Sequence, residues 1–211
     1  MGRYSLTKKR RDVAREVGDT LRVELAGREA FERHNVAPTE EVLAVVQNRD
    51  GRRAEMLRWG LVPYWAKDGK TKLTMINTRA ETLSERPAYR RLFERGSRRC
   101  LVVADGFYEW IKAEDPAQPR RPLRFALADG VCFCFAGLWT NSSCTVVTTV
   151  ANELVAPVHD RMPVLLSDPA AWEAWLDPAL EGEAVAPLLR PFPAELMAVA
   201  EATLQPPSRQ T

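Results

Sequence analysis

Leu101-Val102-Val103-Ala104-Asp105-Gly106-Phe107-Tyr108-Glu109-Trp110 begins with four apolar residues, breaks at an Asp-Gly pair and resumes with one glutamate set between aromatic rings. The first four residues read as a strand and Asp105-Gly106 as a turn. The same short runs of Val, Phe, Thr and Cys return at Val42 to Val46, Val131 to Leu138 and Thr145 to Val150. They are too short for helices and rich in residues that favour a pleated surface, so they are read as strands.

Helical signals are fewer. Residues 8 to 17 are mostly charged, with Val13 and Val17 four apart, which suits a short amphipathic helix. Pro87 opens a second segment, Ala88 to Glu94, with Tyr89, Leu92 and Phe93 on one face. Ser167-Asp168-Pro169 supplies a cap and a first-turn proline for a third, leading into Trp172, Trp175 and Leu176. Pro116 to Pro122 reads as a surface loop, and Gln205 to Thr211 as a flexible Pro-rich tail. Mostly strands with short helices outside them predicts an α+β fold, one domain over residues 1–204 followed by the tail 205–211.

The chain has 211 residues and 23.8 kDa, enough for one domain with a substantial core. No apolar run approaches the about 20 residues that a bilayer crossing needs, and Lys8-Lys9-Arg10-Arg11 follows the N-terminus with no apolar stretch behind it. The reading is therefore a protein without a membrane span or secretory signal. Cys100, Cys132, Cys134 and Cys144 lie in strand-like surroundings, as reduced thiols of a cytoplasmic protein. The net charge of +2 conceals an asymmetry: residues 1–125 hold 27 Lys and Arg against 18 Asp and Glu, the remainder 3 against 10. Such a basic first part suits a polyanionic partner, although paired surface arginines give the same count.

Four constellations could carry chemistry. Glu109, in its aromatic collar, suits a general acid or base, or is a half-exposed strand glutamate. His159 stands between Pro157 and Pro163 in a stiff loop and suits a proton carrier, or a surface structural role. Asn77-Thr78-Arg79-Ala80-Glu81 places an amide, a guanidinium and a carboxylate on one face if extended, either to orient a phosphate or as a salt-bridge ladder. Arg58 to Trp65 combines two tryptophans with Gly60 and Pro63, giving core packing or a base-stacking platform. With only His34 and His159, and no cysteine or carboxylate at ligand spacing, no metal site and no cofactor are expected. No Gly-x-Ser-x-Gly motif is present, and His159 beside Asp160 makes a poor protease triad.

Six ordered motifs run from residue 2 to about residue 177: Gly2-Arg3-Tyr4, Asn35 to Thr39, Arg58 to Pro63, Asn77 to Glu81, Arg99 to Trp110 and His159 to Pro163. Together they resemble the SOS response-associated peptidase (SRAP) family. The resemblance implies a strongly bent, barrel-like and mainly antiparallel sheet with short peripheral helices. It also implies a monomer that crosslinks to abasic sites in single-stranded DNA, in the cytoplasm and at the nucleoid. Through it, Asn77 orients the N-terminal residue, Glu109 moves protons at the amine and the sugar, and His159 assists ring opening and Schiff-base steps. Arg3, Arg79 and Arg161 hold phosphates, while Pro38 and Trp65 pack against unstacked bases.

One departure matters. The family begins Met-Cys-Gly-Arg and its cysteine amine and thiol close a thiazolidine on the sugar aldehyde, whereas this sequence reads Met1-Gly2-Arg3. None of the four cysteines replaces that residue by position. Loss of Met1 would leave the α-amine of Gly2, with a reference pKa of about 7.7 to 8.0, to form a reversible Schiff base and cut by β-elimination. Two other readings remain: a peptidase that removes its own leading residue, and a single-strand binding module without chemistry, whose affinity would fall steeply with salt.

Overall fold

The computed structural model describes residues 1–25, 27–63, 66, 75–111 and 120–204. Its centre is a curled sheet of eight strands. β3 (Glu41–Asn48) and β4 (Gly51–Trp59) form a hairpin, β3 pairs with β6 (Arg99–Ala104), and β6 with β9 (Phe133–Thr140). β10 (Ser143–Val150) then pairs antiparallel with β9 and parallel with the end of β4, which turns the sheet back on itself. Where β4 ends, β5 (Asn77–Arg79) takes its place beside β10, and β11 (Arg161–Pro163) takes the opposite edge after β9. β12 (Leu165–Leu166) completes the set against β9.

A second sheet of five strands runs in the order β13 (Met197–Glu201), β8 (Arg121–Leu127), β7 (Gly106–Ile111), β1 (Arg3–Leu6) and β2 (Arg33–Val36). The two sheets share a core of aromatic rings. Tyr4 of β1 meets Trp59 and Phe135 edge-on at 5.5 and 5.6 Å, and Phe107 stacks on Phe125 at 5.2 Å. Such offset and edge contacts each add about 0.5–1.5 kcal/mol to the burial of the rings. Trp59 is fully buried there, its Nε1–H donating to the Ile76 carbonyl at 2.9 Å, so its place is in the core and not in a stacking platform.

The other face of the curled sheet is covered by α1 (Arg10–Val13), α2 (Asp19–Leu21), α3 (Pro87–Glu94), α4 (Pro169–Leu176) and α5 (Gly182–Val185), with a π-helical stretch, Ala14–Gly18, joining the first two. The expected helix over residues 8–17 thus starts at Arg10 and continues to Leu21. Asp168 caps α4 by accepting the Ala170 N–H, as the Ser-Asp-Pro signal predicts. Of the loop expected at Pro116 to Pro122, Arg121 and Pro122 instead open β8; residues 116–119 and the tail 205–211 lie outside the described residues. No helix among the described residues is long and apolar enough to cross a membrane.

Candidate active site

The register of β1 on β7 sets the position of the chain's first residues. Arg3 pairs with Tyr108, Tyr4 with Phe107 and Ser5 with Gly106, and continuing that register brings the N-terminus alongside Glu109. Alternation along β7 puts Phe107 and Glu109 on the face turned to the other sheet, so the carboxylate enters the core with only 5% of its surface exposed. The charge is met at once: the Met1 ammonium lies 2.8 Å from Glu109 Oε1. Met1 itself is 8% exposed, and its carbonyl accepts the Asn77 Nδ2–H at 2.5 Å. One sheet supplies a carboxylate for the amine and the other an amide for the carbonyl, so the terminal residue is held at both ends. Asn77 Oδ1 is buried with no hydrogen-bond donor among the described residues.

Asp105 fixes β1 so that this register holds. It is buried and accepts from Ser5 Oγ at 2.7 Å, from the Thr7 backbone and hydroxyl, from Lys8 N–H, and from Arg124 Nη2 at 2.9 Å. A Cβ on Gly106 would strike the Arg124 guanidinium, so glycine is what lets that arginine lie across the turn. The sequence marks Asp105-Gly106 only as a turn. The signal for more is an acid inside an otherwise apolar decapeptide, which must find donors if it is buried.

The remaining expected residues are spread around this centre. Arg79 of β5 lines a cavity with Asn77, Arg86 and Tyr89. Arg161 approaches from the other side of β10: Thr148 pairs with Arg79, and its carbonyl accepts Arg161 Nη2–H at 2.6 Å. Arg161 is also bidentate with Glu81 at 2.7 and 2.9 Å, and this guanidinium holds the Glu81 carboxyl below its ordinary range. Only Asn77 and Arg79 of the expected polar row are therefore on a strand, since Ala80–Thr82 forms a 3-10 turn that swings Glu81 toward Arg161. The His159 side chain is 41% exposed; its Nδ1 accepts the Arg161 backbone N–H at 2.9 Å and lies 3.1 Å from Asp160 Oδ1. Among the described residues it makes no hydrogen bond to Met1, Asn77 or Glu109.

Arg3 lies in another cavity, with Trp110 and Pro122. Pro38 is half-buried ahead of Thr39, whose backbone is left-handed (φ 77°) and donates to the Trp59 carbonyl at 2.7 Å. Trp65 lies outside the described residues. A Cβ at Gly2 would meet nothing within 4 Å, but the nitrogen of Gly2 is an amide here, and the amine facing Glu109 belongs to Met1. All four cysteines are free and buried, and burial pushes their thiols up, that of Cys144 to about 12, which withholds the thiolate at neutral pH. No group of three or more His, Cys, Asp or Glu among the described residues could hold a metal ion.

A family model described as SOS response associated peptidase (SRAP) matches residues 1–204. The chain belongs to the SRAP family. Within it, the chain is 42% identical over 174 residues to the abasic site processing protein YoqW of Bacillus subtilis, a match spanning 78% of this chain and 75% of that one. It is 28% identical over 191 residues to the abasic site processing protein YedK of Escherichia coli, spanning 86% and 82%. Its fold is that of a solved protein from Bacteroides thetaiotaomicron, with a TM-score of 0.80 at 22% identity, covering 96% of this chain and 92% of that one.

Proposed function

We propose that this SRAP member processes abasic sites in single-stranded DNA by joining its N-terminal amine to the open-chain aldehyde of the abasic sugar. The observation that carries this reading is the amine 2.8 Å from a buried carboxylate, in a family whose similar members are named for abasic-site processing. Glu109 takes a proton from the ammonium and frees the lone pair, which attacks C1′ of the aldehyde. The attacking nitrogen passes a proton to the former carbonyl oxygen, protonated Glu109 returns its own proton to the resulting hydroxyl, which leaves as water, and a protonated imine remains. Asn77 holds the adjacent carbonyl and so aims the amine. His159 Nε2 serves the sugar during ring opening. Arg3, Arg79 and Arg161 take flanking phosphates, with Glu81 orienting Arg161, and Pro38 packs against an unstacked base.

The amine in contact with Glu109 is that of Met1; loss of Met1 would pass the role to Gly2, whose nitrogen starts about 3.5 Å farther along the strand. In either case the residue carries no thiol, so the imine has no internal nucleophile to close a ring. Incubation with an abasic oligonucleotide should give a stable adduct only when borohydride is present, and peptide mass mapping should find it on the terminal residue. A stable adduct without reductant, or DNA binding with no adduct under reductant, would overturn the reading.

Insertion of a cysteine between Met1 and Gly2 tests the same geometry in the opposite sense. After removal of Met1 the new amine takes the place on Glu109, and its thiol adds to the imine carbon to close a five-membered ring. The inserted protein should form an adduct that survives a denaturing gel without borohydride, where the parent chain forms none.

A further inference from the structure

Helix α3 separates two cavities. One holds Asn77, Arg79 and Arg86 and belongs to the site above. The other, about 200 Å³, lies on its far side against the segment that leaves β4, with an apolar floor of Leu61, Ala88 and Leu92 and a rim of Arg91, Arg95 and Arg98. The spacing of the helix explains the division. Tyr89 and Phe93 point into the core, which leaves Ala88 and Leu92 to line one side, with Arg91 of the helix and Arg95, the extended residue that follows its last turn, exposed to solvent at the rim. Arg98 is set over the Trp139 ring at 5.5 Å, a contact that fixes the guanidinium without neutralising it. Among the described residues no carboxylate lines this cavity or pairs with its three arginines; Glu94, the acid on the same helix, pairs with Arg90.

Three guanidinium groups with no carboxylate partner among the described residues, around a small apolar floor, match a ligand with a flat apolar part and an adjoining anion. We infer that this cavity receives one nucleotide of the bound DNA strand away from the abasic sugar, its base on Leu61, Ala88 and Leu92 and its phosphates on Arg91, Arg95 and Arg98. The inference rests on the proposed function. α3 spans roughly 12 Å at 1.5 Å per residue, and arginines at both of its ends make it a rail from the reacting nucleotide to this subsite.

The test uses the full chain and single-stranded oligonucleotides carrying a non-reactive tetrahydrofuran abasic analogue, one of about 4 nucleotides and one of about 16. Arg91→Glu/Arg95→Glu should weaken binding of the long strand and make the slope of log affinity against log salt shallower by about 1.4, since each single-strand phosphate contact contributes about 0.7. Binding of the short strand and borohydride trapping at saturating DNA should be unchanged. Ala88→Phe, which fills the cavity and leaves the charge alone, should weaken the long strand about tenfold, as loss of one stacked base does, with the salt slope kept. Wild-type behaviour of both variants on the long strand, with trapping intact, would overturn the subsite and leave the proposed function standing. So would equal losses on both strands. Saturable binding of a free mononucleotide that the long strand fails to displace would assign the cavity to free nucleotide and overturn it too. A wild-type chain that binds neither strand would overturn both readings.

Discussion

Glu109→Gln should lower the rate of borohydride-trapped adduct formation at least a hundredfold and leave single-strand affinity within about twofold. The size follows from what the substitution removes. Glutamine keeps the shape of the side chain and still offers an oxygen to the Met1 ammonium, now 2.8 Å from Glu109 Oε1, but it cannot take the proton. The base that receives the ammonium proton is then lost, and the departing hydroxyl has no acid to meet it; a single positioned general acid or base contributes typically 10²–10⁴-fold. DNA affinity, by contrast, comes from phosphate contacts that Glu109 does not make. Single-turnover trapping beside fluorescence anisotropy separates the two quantities. Full adduct yield in Glu109→Gln would remove the carboxylate from the mechanism, and parallel loss of adduct and binding would mean that it only shapes the site.

The parts of this molecule that can be read along the chain are those whose environment is uniform. β3, β6, β9 and β10 are almost wholly buried and lie inside a sheet covered on both faces, so they show as unbroken apolar runs. β4 hides because its pattern is mixed: Arg52, Arg53 and Glu55 are half-buried and Arg58 is exposed, and the three arginines are satisfied by Gln47 and Glu173, by Glu55 and by a neighbouring carbonyl. β13 hides because all but its first residue is exposed, and Pro122 disguises the start of β8 as a loop.

The site divides in the same way. Glu109 and Asn77 stand in short motifs that can be singled out by residue type. Which amine meets Glu109 depends on the pairing of Arg3 with Tyr108, a contact between residues more than a hundred positions apart that no local pattern encodes. The Glu81 side chain leaves the expected row because a 3-10 turn follows Arg79, and its attraction to Arg161 is likewise long-range.

Arg99→Met should lower the stability of the fold by at least about 4 kcal/mol and the melting temperature by roughly 8–16 °C, the largest effect expected of a residue outside the site. Arg99 leads an apolar strand, and its side chain is fully buried in the helical layer. It donates to four carbonyls at once: Phe93 at 3.0 Å, Trp175 at 2.7 Å, Asp177 at 2.8 Å and Leu180 at 2.7 Å, with the Trp175 ring 5.6 Å from the guanidinium. Burial lowers its pKa to about 10, which leaves it charged at neutral pH. The chain around it is built to this reach: a Cβ on Gly96 would collide with the Asp177 carbonyl and with Pro178, so the end of α3 and the loop after α4 close directly over the guanidinium. Methionine fills much of the volume and satisfies none of the carbonyls. Each buried acceptor left without a donor costs about 1–3 kcal/mol; the Asp177 carbonyl keeps the Leu180 N–H at 3.3 Å, and the other three outweigh the relief of not burying a charge. Lysine keeps the charge but has three donors on one atom and cannot span four carbonyls around a planar fork, so Arg99→Lys should recover less than half of the loss. Urea unfolding of the three proteins measures this directly. A methionine variant within about 1 kcal/mol of wild type would mean that the four carbonyls find other donors, and that the clasp between α3, α4 and β6 lies in the Phe93 and Trp175 rings, 6.2 Å apart, and not in Arg99.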